Sequence, residues 1–213
     1  MTSAIEVLHA FDVGEDELHQ VIALLRTTGR DPLDLPLGAG DRALVELAVS
    51  LTGALIEFTA TCGGCGAINQ LEVGPSVLPP YEPSSRWIGP GRGVREPTYA
   101  DLVDLPADRA TAAAMLGRRC SIGDVPADRS QDCLDAVDFA LAGPIRTSCV
   151  GCGDVLEIDA DLQRLALERL RAVAARVDRE VHVLASAYAW DLATIEALAD
   201  ARRTRLADLV GQA

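Results

Sequence analysis

Two short cysteine motifs, far apart in the chain, constrain the fold more than any other sequence feature. Their cysteines are Cys62, Cys65, Cys149 and Cys152. Each motif has the form C-x-x-C-G, and Gly66 and Gly153 supply the final residue, where glycine adopts positive φ at little cost. One C-x-x-C turn contributes two thiolates to a tetrahedral Zn²⁺ site, so two such turns complete it. We therefore predict a structural zinc ribbon that holds one Zn²⁺ ion.

The segments around the cysteines predict that each motif joins two β-strands. The first reads LIEFTATCGGCGAINQLEV and the second PIRTSCVGCGDVLEIDADL, so both follow the order strand, CxxCG, strand. Residues 66–148 separate the two motifs, a longer insertion than a compact ribbon has. Because loop-closure entropy grows only logarithmically with loop length, the two hairpins can still share one ion. We expect the insertion to pack around the ribbon.

Other roles for the cysteines are open at this point. A redox C-x-x-C lies at a strand-to-helix junction, which neither motif does, and disulfides are rare in reducing compartments. The same four thiolates are also the ligand set of an iron–sulfur cluster. Cys120 and Cys133 lack partners at ligand spacing, and we interpret them as small buried core residues.

The hydrophobic pattern outside the motifs is mainly helical, and the fold class that it predicts is α+β. The most regular stripe begins after Asp161 and continues to Tyr188, which indicates one long helix. Asp41, Asp191 and Asp200 are expected to cap further helices. The predicted helices cover residues 15–30, 41–56, 98–120 (broken near Pro106), 130–142, 161–188, 191–198 and 200–210. We divide the chain into a part with the ribbon, residues 1–158, and a C-terminal helical element, residues 159–213.

Composition narrows the class of function. The chain contains no lysine, and its net charge is −13. Because phosphate contacts need a basic surface, we expect no nucleic-acid partner. There is no apolar run of membrane-helix length and no signal-peptide pattern, so we expect a cytoplasmic protein. No HExxH, P-loop, GxSxG or dinucleotide motif is present, and we expect no enzymatic activity and no small-molecule substrate. With 4% aromatic residues, the core should be aliphatic.

The C-terminal segment EVHVLASAYAWDLATIEALADARRTRLADLV admits more than one interpretation. Its short helices and arginines resemble a helix-turn-helix, which would make the protein a zinc-ribbon regulator that binds nucleic acid. Acidic and basic residues are nearly balanced there, which argues against a basic face. Tyr188 and Trp190 are favourable residue types for protein interfaces, and they could equally form the core where the helices meet.

The order of these motifs resembles the T4-type bacteriophage baseplate protein family, found in tailed phages and contractile injection particles. The similarity runs from about residue 15 to 210 and includes REPTYADL, both CxxCG hairpins and the tail EVHVLASAYAW. Family members usually read CPxCG, whereas this chain has CGGCG and CVGCG and keeps the ligands. The resemblance implies a non-enzymatic structural or assembly protein that acts at the baseplate, hub or tape-measure region and binds other tail proteins. The residues that it carries over are the four cysteines for metal and Tyr188, Trp190 and Arg202 for partner contacts.

Overall fold

The computed structural model describes residues 2–78, 80–137 and 141–211, and in this part the fold is mixed α+β. The helices are α1 (Ala4–Val13), α2 (Glu17–Thr27), α3 (Leu37–Thr52), α4 (Tyr99–Leu102), α5 (Arg109–Cys120), α6 (Ala127–Asp135), α7 (Leu162–Tyr188), α8 (Leu192–Glu196) and α9 (Asp200–Gly211). The strands are β1 (Ile56–Thr61), β2 (Ile68–Val73), β3 (Ser85–Gly89), β4 (Arg92–Arg95), β5 (Ser121–Ile122), β6 (Ala142–Ser148) and β7 (Val155–Asp161). A short 3-10 helix covers Pro75–Val77.

The long helix α7 organises the molecule, and its prediction from the apolar stripe is confirmed. The Asp161 side chain caps it by accepting a hydrogen bond of 2.9 Å from the Arg164 N–H. It ends where Ala189 turns into the left-handed region at φ 55°. Helices α1 and α3 pack along it. Tyr99 is the one aromatic among the buried residues of their shared core in the described ranges, and Phe11 and Phe58 pack against it. The buried aliphatic residues include Val7, Leu24, Leu25, Leu44, Val45, Leu167 and Leu170.

The first helix was absent from the sequence prediction. A capping box starts it, because the Ser3 side chain accepts from the Glu6 N–H and the Glu6 carboxylate accepts from the Ser3 N–H. This reciprocal pair satisfies two donors that a helix N-terminus otherwise leaves unpaired. The buried residues Ile5 and Leu8 then pack against α7.

Helix α3 begins earlier than predicted, so the expected capping role of Asp41 is wrong. The helix starts at Leu37, which places Asp41 inside it and buries its side chain. The carboxylate accepts hydrogen bonds from the Gln163 side chain at 2.7 Å and from the Leu141 N–H at 3.2 Å. Asp41 therefore links α3 to α7 and to the chain that enters β6.

The insertion between the cysteine motifs contains its own small sheet, in the order β3–β4–β5. Helices α5 and α6 cover one side of it, around Val94, Cys120, Cys133 and Leu134. The prediction of one helix over residues 130–142 is wrong at its C-terminal end, because α6 stops at Asp135 and Ala142 begins strand β6. Residues 138–140 of that prediction lie outside the described residues. Strand pairing with β7 overrides the local helical pattern there.

The C-terminal helices attach to α7 and α1 through polar side chains. Asp191 caps α8, as predicted, by accepting from the Thr194 N–H. Asp200 does not cap α9; instead its carboxylate accepts from the Ala4 N–H at 2.9 Å and from Arg203 at 2.7 Å. These contacts tie the last helix to the first.

The division of the chain between residues 158 and 159 stays a prediction. Side chains from both sides of it share one core, for example Leu44 and Leu170. None of the helices in the described ranges is both long and apolar enough to cross a membrane.

Candidate metal centre

The two cysteine motifs occupy the turns of two antiparallel hairpins. Strands β1 and β2 pair from Ile56 opposite Val73 to Thr61 opposite Ile68, and β6 and β7 pair as far as Ser148 opposite Val155. Side chains alternate between the two faces of β7, so Leu156 and Ile158 lie on the same face, in a small apolar cluster with Cys62 and Cys149. Pairing of β1 with β2 and of β6 with β7 therefore places each C-x-x-C turn at the end of a hairpin.

The backbone of the two turns is nearly identical. The Gly66 N–H donates to the Cys62 carbonyl at 2.9 Å, and the Gly153 N–H donates to the Cys149 carbonyl at 2.9 Å. These glycines have φ values of 74° and 81°, in the left-handed region that disfavours other residues. The glycine positions predicted from the motif are thus confirmed, and both turns present their sulfurs in the same way.

The four sulfurs converge, although the hairpins are distant in sequence. Their Sγ atoms all lie within 4.8 Å of one another. The distance from Cys62 to Cys152 is 3.8 Å, and that from Cys65 to Cys149 is 3.6 Å. Thiolates bound tetrahedrally at about 2.3 Å from one ion lie about 3.8 Å apart. The cysteines are free, and this geometry fits a single metal ion.

The site has a buried side and a side open to solvent. The first cysteine of each turn, Cys62 or Cys149, is buried, whereas the second, Cys65 or Cys152, is exposed. In the ranges that the structure covers, the group of mutually close ligand atoms consists of the four cysteine sulfurs, and the Asp154 carboxylate lies 3.4 Å from the sulfur of Cys152. Four thiolates fill a tetrahedral ion and leave no position for a substrate. The group can therefore hold a metal ion in a closed, structural manner.

Hydrogen bonds to sulfur make the cysteines inequivalent. Backbone N–H groups of Cys152 and Gly151 lower the pKa of Cys149 to about 6, and the Gly151 N–H lies 3.3 Å from that sulfur. The Asp154 backbone N–H favours the Cys152 thiolate, but hydrogen bonding with the neighbouring cysteine sulfurs, that of Cys65 above all, raises the pKa of Cys152 to about 12. Thiolates so close together repel one another, and a divalent cation stabilises all four.

Asn69 joins the two hairpins and was missed by the sequence analysis. Its side-chain oxygen accepts from the Val150 N–H at 2.8 Å, and its amide nitrogen lies 3.7 Å from the sulfur of Cys149. The same nitrogen donates to the Ala67 carbonyl at 3.0 Å. The sequence signal that could have revealed Asn69 is its place in β2: it lies on the same face of the strand as the buried Val73, where a polar residue is unusual. A buried amide at such a position needs partners.

Gly151 is required by the close approach of the hairpins. A Cβ atom at this position would lie 2.9 Å from the Ala67 Cβ and 3.3 Å from the Cys65 sulfur. At Gly63, in the other turn, a Cβ would meet nothing within 4 Å. The second turn thus inserts its backbone beneath the first, and only glycine fits there.

The predicted partner residues lie on elements that do not contribute to the metal site. Tyr188 and Trp190 stack on each other at a centroid distance of 4.8 Å. Tyr188 is 41% exposed, so it does not belong to the core, and Trp190 is half-buried. Arg202 is exposed, while its neighbour Arg203 is fully buried against Glu180. Their role in partner contacts stays a prediction.

Cys120 and Cys133 are buried in the apolar cluster between β4, α5 and α6, as expected of core residues. Burial raises the pKa of Cys120 to about 11. A thiol with a raised pKa is a weak nucleophile near neutral pH, so Cys120 is suited to packing.

No protein-family model, no curated protein and no solved structure matches this chain. The resemblance to the T4-type baseplate family therefore remains an expectation from the motifs. What the described residues establish is a group of four cysteines that could hold a metal ion.

Proposed function

We propose that this chain is a non-enzymatic, zinc-braced structural or assembly protein of a phage-like contractile tail, acting at the baseplate, hub or tape-measure region. The observation that carries the proposal is the closed group of four cysteine sulfurs, which lie within 4.8 Å of one another. The order of motifs, similar to that of T4-type baseplate proteins, supports the tail assignment. An adaptor needs a rigid shape more than a reactive centre, and a closed metal site supplies rigidity.

Zinc is the ion that the site favours. Its borderline-soft character and lack of a geometric preference suit four thiolates in a tetrahedron. An iron–sulfur cluster contains several metal ions and therefore holds its thiolates farther apart than one ion does. Sulfur distances of 3.6 and 3.8 Å support a single ion, and with it the description of the two hairpins as halves of a zinc ribbon.

The ion would act as a long-range cross-link. It would tie β1 and β2 to β6 and β7 and close the insertion between them into a loop. Metal binding to such ligand sets contributes on the order of 10–16 kcal/mol of apparent folding free energy. This is ample to compensate the entropy of closing a long loop.

The surface of the hairpins supports a protein partner over nucleic acid. The exposed positions of β2 and β7 include Glu72, Glu157 and Asp159. Together with the net charge of −13, they would repel phosphate groups. A gel-shift titration across salt concentrations tests the zinc-ribbon regulator alternative, because phosphate contacts give a steep salt dependence. We expect no salt-sensitive shift.

The direct test of the proposal is co-purification. The tagged protein is co-expressed with the baseplate, hub and tape-measure proteins of the contractile tail encoded in the same genome. We expect one of them to elute with it in a defined ratio. Arg202→Ala should weaken that association, whereas Arg205→Ala, an exposed arginine of the same helix, is the matched control. Elution of the tagged protein alone in every combination would refute the tail assignment.

Metal analysis tests the brace separately. Protein purified without chelators should contain zinc in about equimolar amount and should be colourless. A brown protein with sulfide-dependent absorbance would assign an iron–sulfur cluster instead. Protein that folds without any metal would refute the brace while leaving the tail assignment to the co-purification result.

A further inference from the structure

Strand β3 forms an exposed edge of the small sheet in the insertion. The strand order is β3–β4–β5, so among the strands in the described ranges β3 pairs with β4 alone. Its residues Ser85, Arg86 and Trp87 are all exposed. The neighbouring β4 is covered instead, with Val94 fully buried against α5 and α6.

The backbone of this edge has free hydrogen-bonding groups. The Glu96 N–H donates to the Ser84 carbonyl at 2.9 Å, and Arg86 lies opposite Val94. Hydrogen bonding alternates along an antiparallel strand, so the N–H and C=O groups of Ser85 and Trp87 point away from β4. A row of such groups is a template for an added strand.

The Trp87 side chain is held in place on the sheet. It is 55% exposed, and it lies opposite Gly93 in the strand register. A Cβ at Gly93 would lie only 3.0 Å from Cε3 of the indole, so the ring rests on the bare backbone of β4. An aromatic ring held this way offers a preorganised apolar surface to a partner.

Arginine side chains lie along β3 and β4, within an acidic protein, between the exposed Glu82 and the buried Glu96. The whole chain has a net charge of −13, but the segment 84–95 contains Arg86, Arg92 and Arg95 and no acidic residue. Arg95 is bound by Asp101 at 2.7 Å. Arg86 and Arg92 form no ion pair with any residue inside the described ranges. The Arg92 guanidinium lies beside Gly89: a Cβ atom built on Gly89 would be 3.5 Å from Nη2 of Arg92.

We infer that the free edge of β3 binds an extended segment of a partner protein as an additional strand, and that this segment alternates acidic and apolar residues. Main-chain hydrogen bonds to Ser85 and Trp87 hold the segment. Its acidic side chains face Arg86 and its apolar side chains contact Trp87, because successive side chains of a strand point to opposite faces. The inference rests on an adaptor role, but it holds whether or not the partner belongs to a contractile tail.

A nucleic-acid strand is the competing occupant, since tryptophan and arginine also bind bases and phosphates. Such a strand uses one continuous surface on which bases stack beside the charges. Arg86 and Trp87 are adjacent in β3 and therefore point to opposite faces of the sheet. A polypeptide that pairs with this edge presents alternate side chains to both faces and so meets both residues, which favours a peptide over a nucleic-acid strand.

The test uses the full-length, zinc-loaded protein. The chain has two tryptophans, so Trp190→Phe leaves Trp87 as the one that fluoresces. A short capped peptide of alternating glutamate and valine is titrated while Trp87 fluorescence is recorded. The matched probe alternates lysine and valine, and a third probe is single-stranded oligothymidylate. We expect saturable binding of the glutamate peptide only.

Two variants separate charge from backbone pairing. Arg86→Glu should weaken binding of the glutamate peptide at least about tenfold, because like charges then meet. The same variant should bind the lysine peptide, because opposite charges meet there. Ser85→Pro removes one outward N–H without touching the bonds to β4, and it should also weaken binding about tenfold. Unchanged zinc content and thermal midpoint verify folding of both.

Three outcomes would overturn the inference: no binding of the glutamate peptide, tighter binding of the oligothymidylate, or equal affinity after Arg86→Glu. Peptide binding with failed co-purification of tail proteins would keep this edge as a binding site and reject only the tail assignment. Co-purification with a tail protein but no peptide binding would keep the tail assignment and place the contacts with that protein outside the edge of β3.

Discussion

The side-chain oxygen of Asn69 accepts a hydrogen bond of 2.8 Å from the backbone N–H of Val150, and this bond joins the two cysteine hairpins directly. Asn69 is only 2% exposed, so its amide oxygen depends on a protein donor for hydrogen bonding. The same amide reaches the sulfur of Cys149. The candidate metal site therefore includes a residue that is no ligand itself but contacts one of the four cysteines.

Replacement of this amide should weaken metal binding. Asn69→Ala leaves the Val150 N–H without its acceptor and loosens the contact between the hairpins. Residues that orient metal ligands typically contribute about 10–100-fold to affinity, and we expect a loss in that range. Competition with a colorimetric zinc chelator measures it. Gln70→Ala, at the exposed neighbouring position, should leave the affinity unchanged; equal losses for both would contradict an orienting role.

Loss of one ligand from either hairpin should have the same consequence. Cys62→Ser and Cys149→Ser each leave three thiolates for one shared ion, so we expect the zinc-to-protein ratio to fall from about one in both. Thermal unfolding should shift down by similar amounts. Cys120→Ala removes a buried thiol outside the site and should keep the zinc while costing about 1 kcal/mol. If one ligand variant retained full zinc, the hairpins would not share an ion.

Two glycines at different positions of the cysteine turns should differ in their tolerance of alanine. Gly151→Ala places a Cβ 2.9 Å from that of Ala67, which forces the hairpins apart and should destabilise the protein by about 1–3 kcal/mol. Gly63→Ala meets open space and should be nearly neutral. Denaturant unfolding of the zinc-loaded variants gives both values. A neutral Gly151→Ala would show that the turns do not pack as closely as described.

The buried charge network of the C-terminal helices should be sensitive to loss of one member. Glu180 accepts from Arg203 at 2.9 Å, and the Arg203 side chain is fully buried. Glu180→Ala removes one of the two carboxylates that bind Arg203 and leaves Asp200 at 2.7 Å as the other, so we expect a cost of up to about 3 kcal/mol. Glu168→Ala breaks an exposed pair with Arg164 on the same helix and should cost less than about 1 kcal/mol. Chemical denaturation compares the two, and similar small costs would contradict a buried pair.

Asp41 should make stability depend on pH in the acidic range. Burial raises the pKa of this carboxyl to about 6, from 3.8. The folded state therefore keeps a proton that the unfolded state loses, and the resulting stabilisation disappears as pH rises through about 6. Between pH 5 and 7 the wild type should lose about 1 kcal/mol relative to Asp41→Asn. Asp34→Asn, at an exposed position, should show no such difference in free energy of unfolding.

Local chemistry made several elements predictable. The apolar stripe of α7 lies within one segment, so neighbouring residues suffice to predict this helix. The two C-x-x-C-G turns are equally local, since each contains its ligands and its positive-φ glycine. Predictions became wrong where distant contacts compete: Asp41 and Asp200 have good capping side chains, yet both bind partners from other elements instead.

The sequence by itself determined which four side chains could bind a metal and which segments have helical periodicity, because both depend on residue type and short spacing. Tertiary structure alone decided that the thiols meet, that Asn69 bridges their hairpins, and that Arg203 rather than Arg202 is buried. It also left β3 with an open edge. These outcomes depend on which surfaces pack together, and the hairpin contacts join residues 81 to 90 positions apart, so no local spacing encodes them.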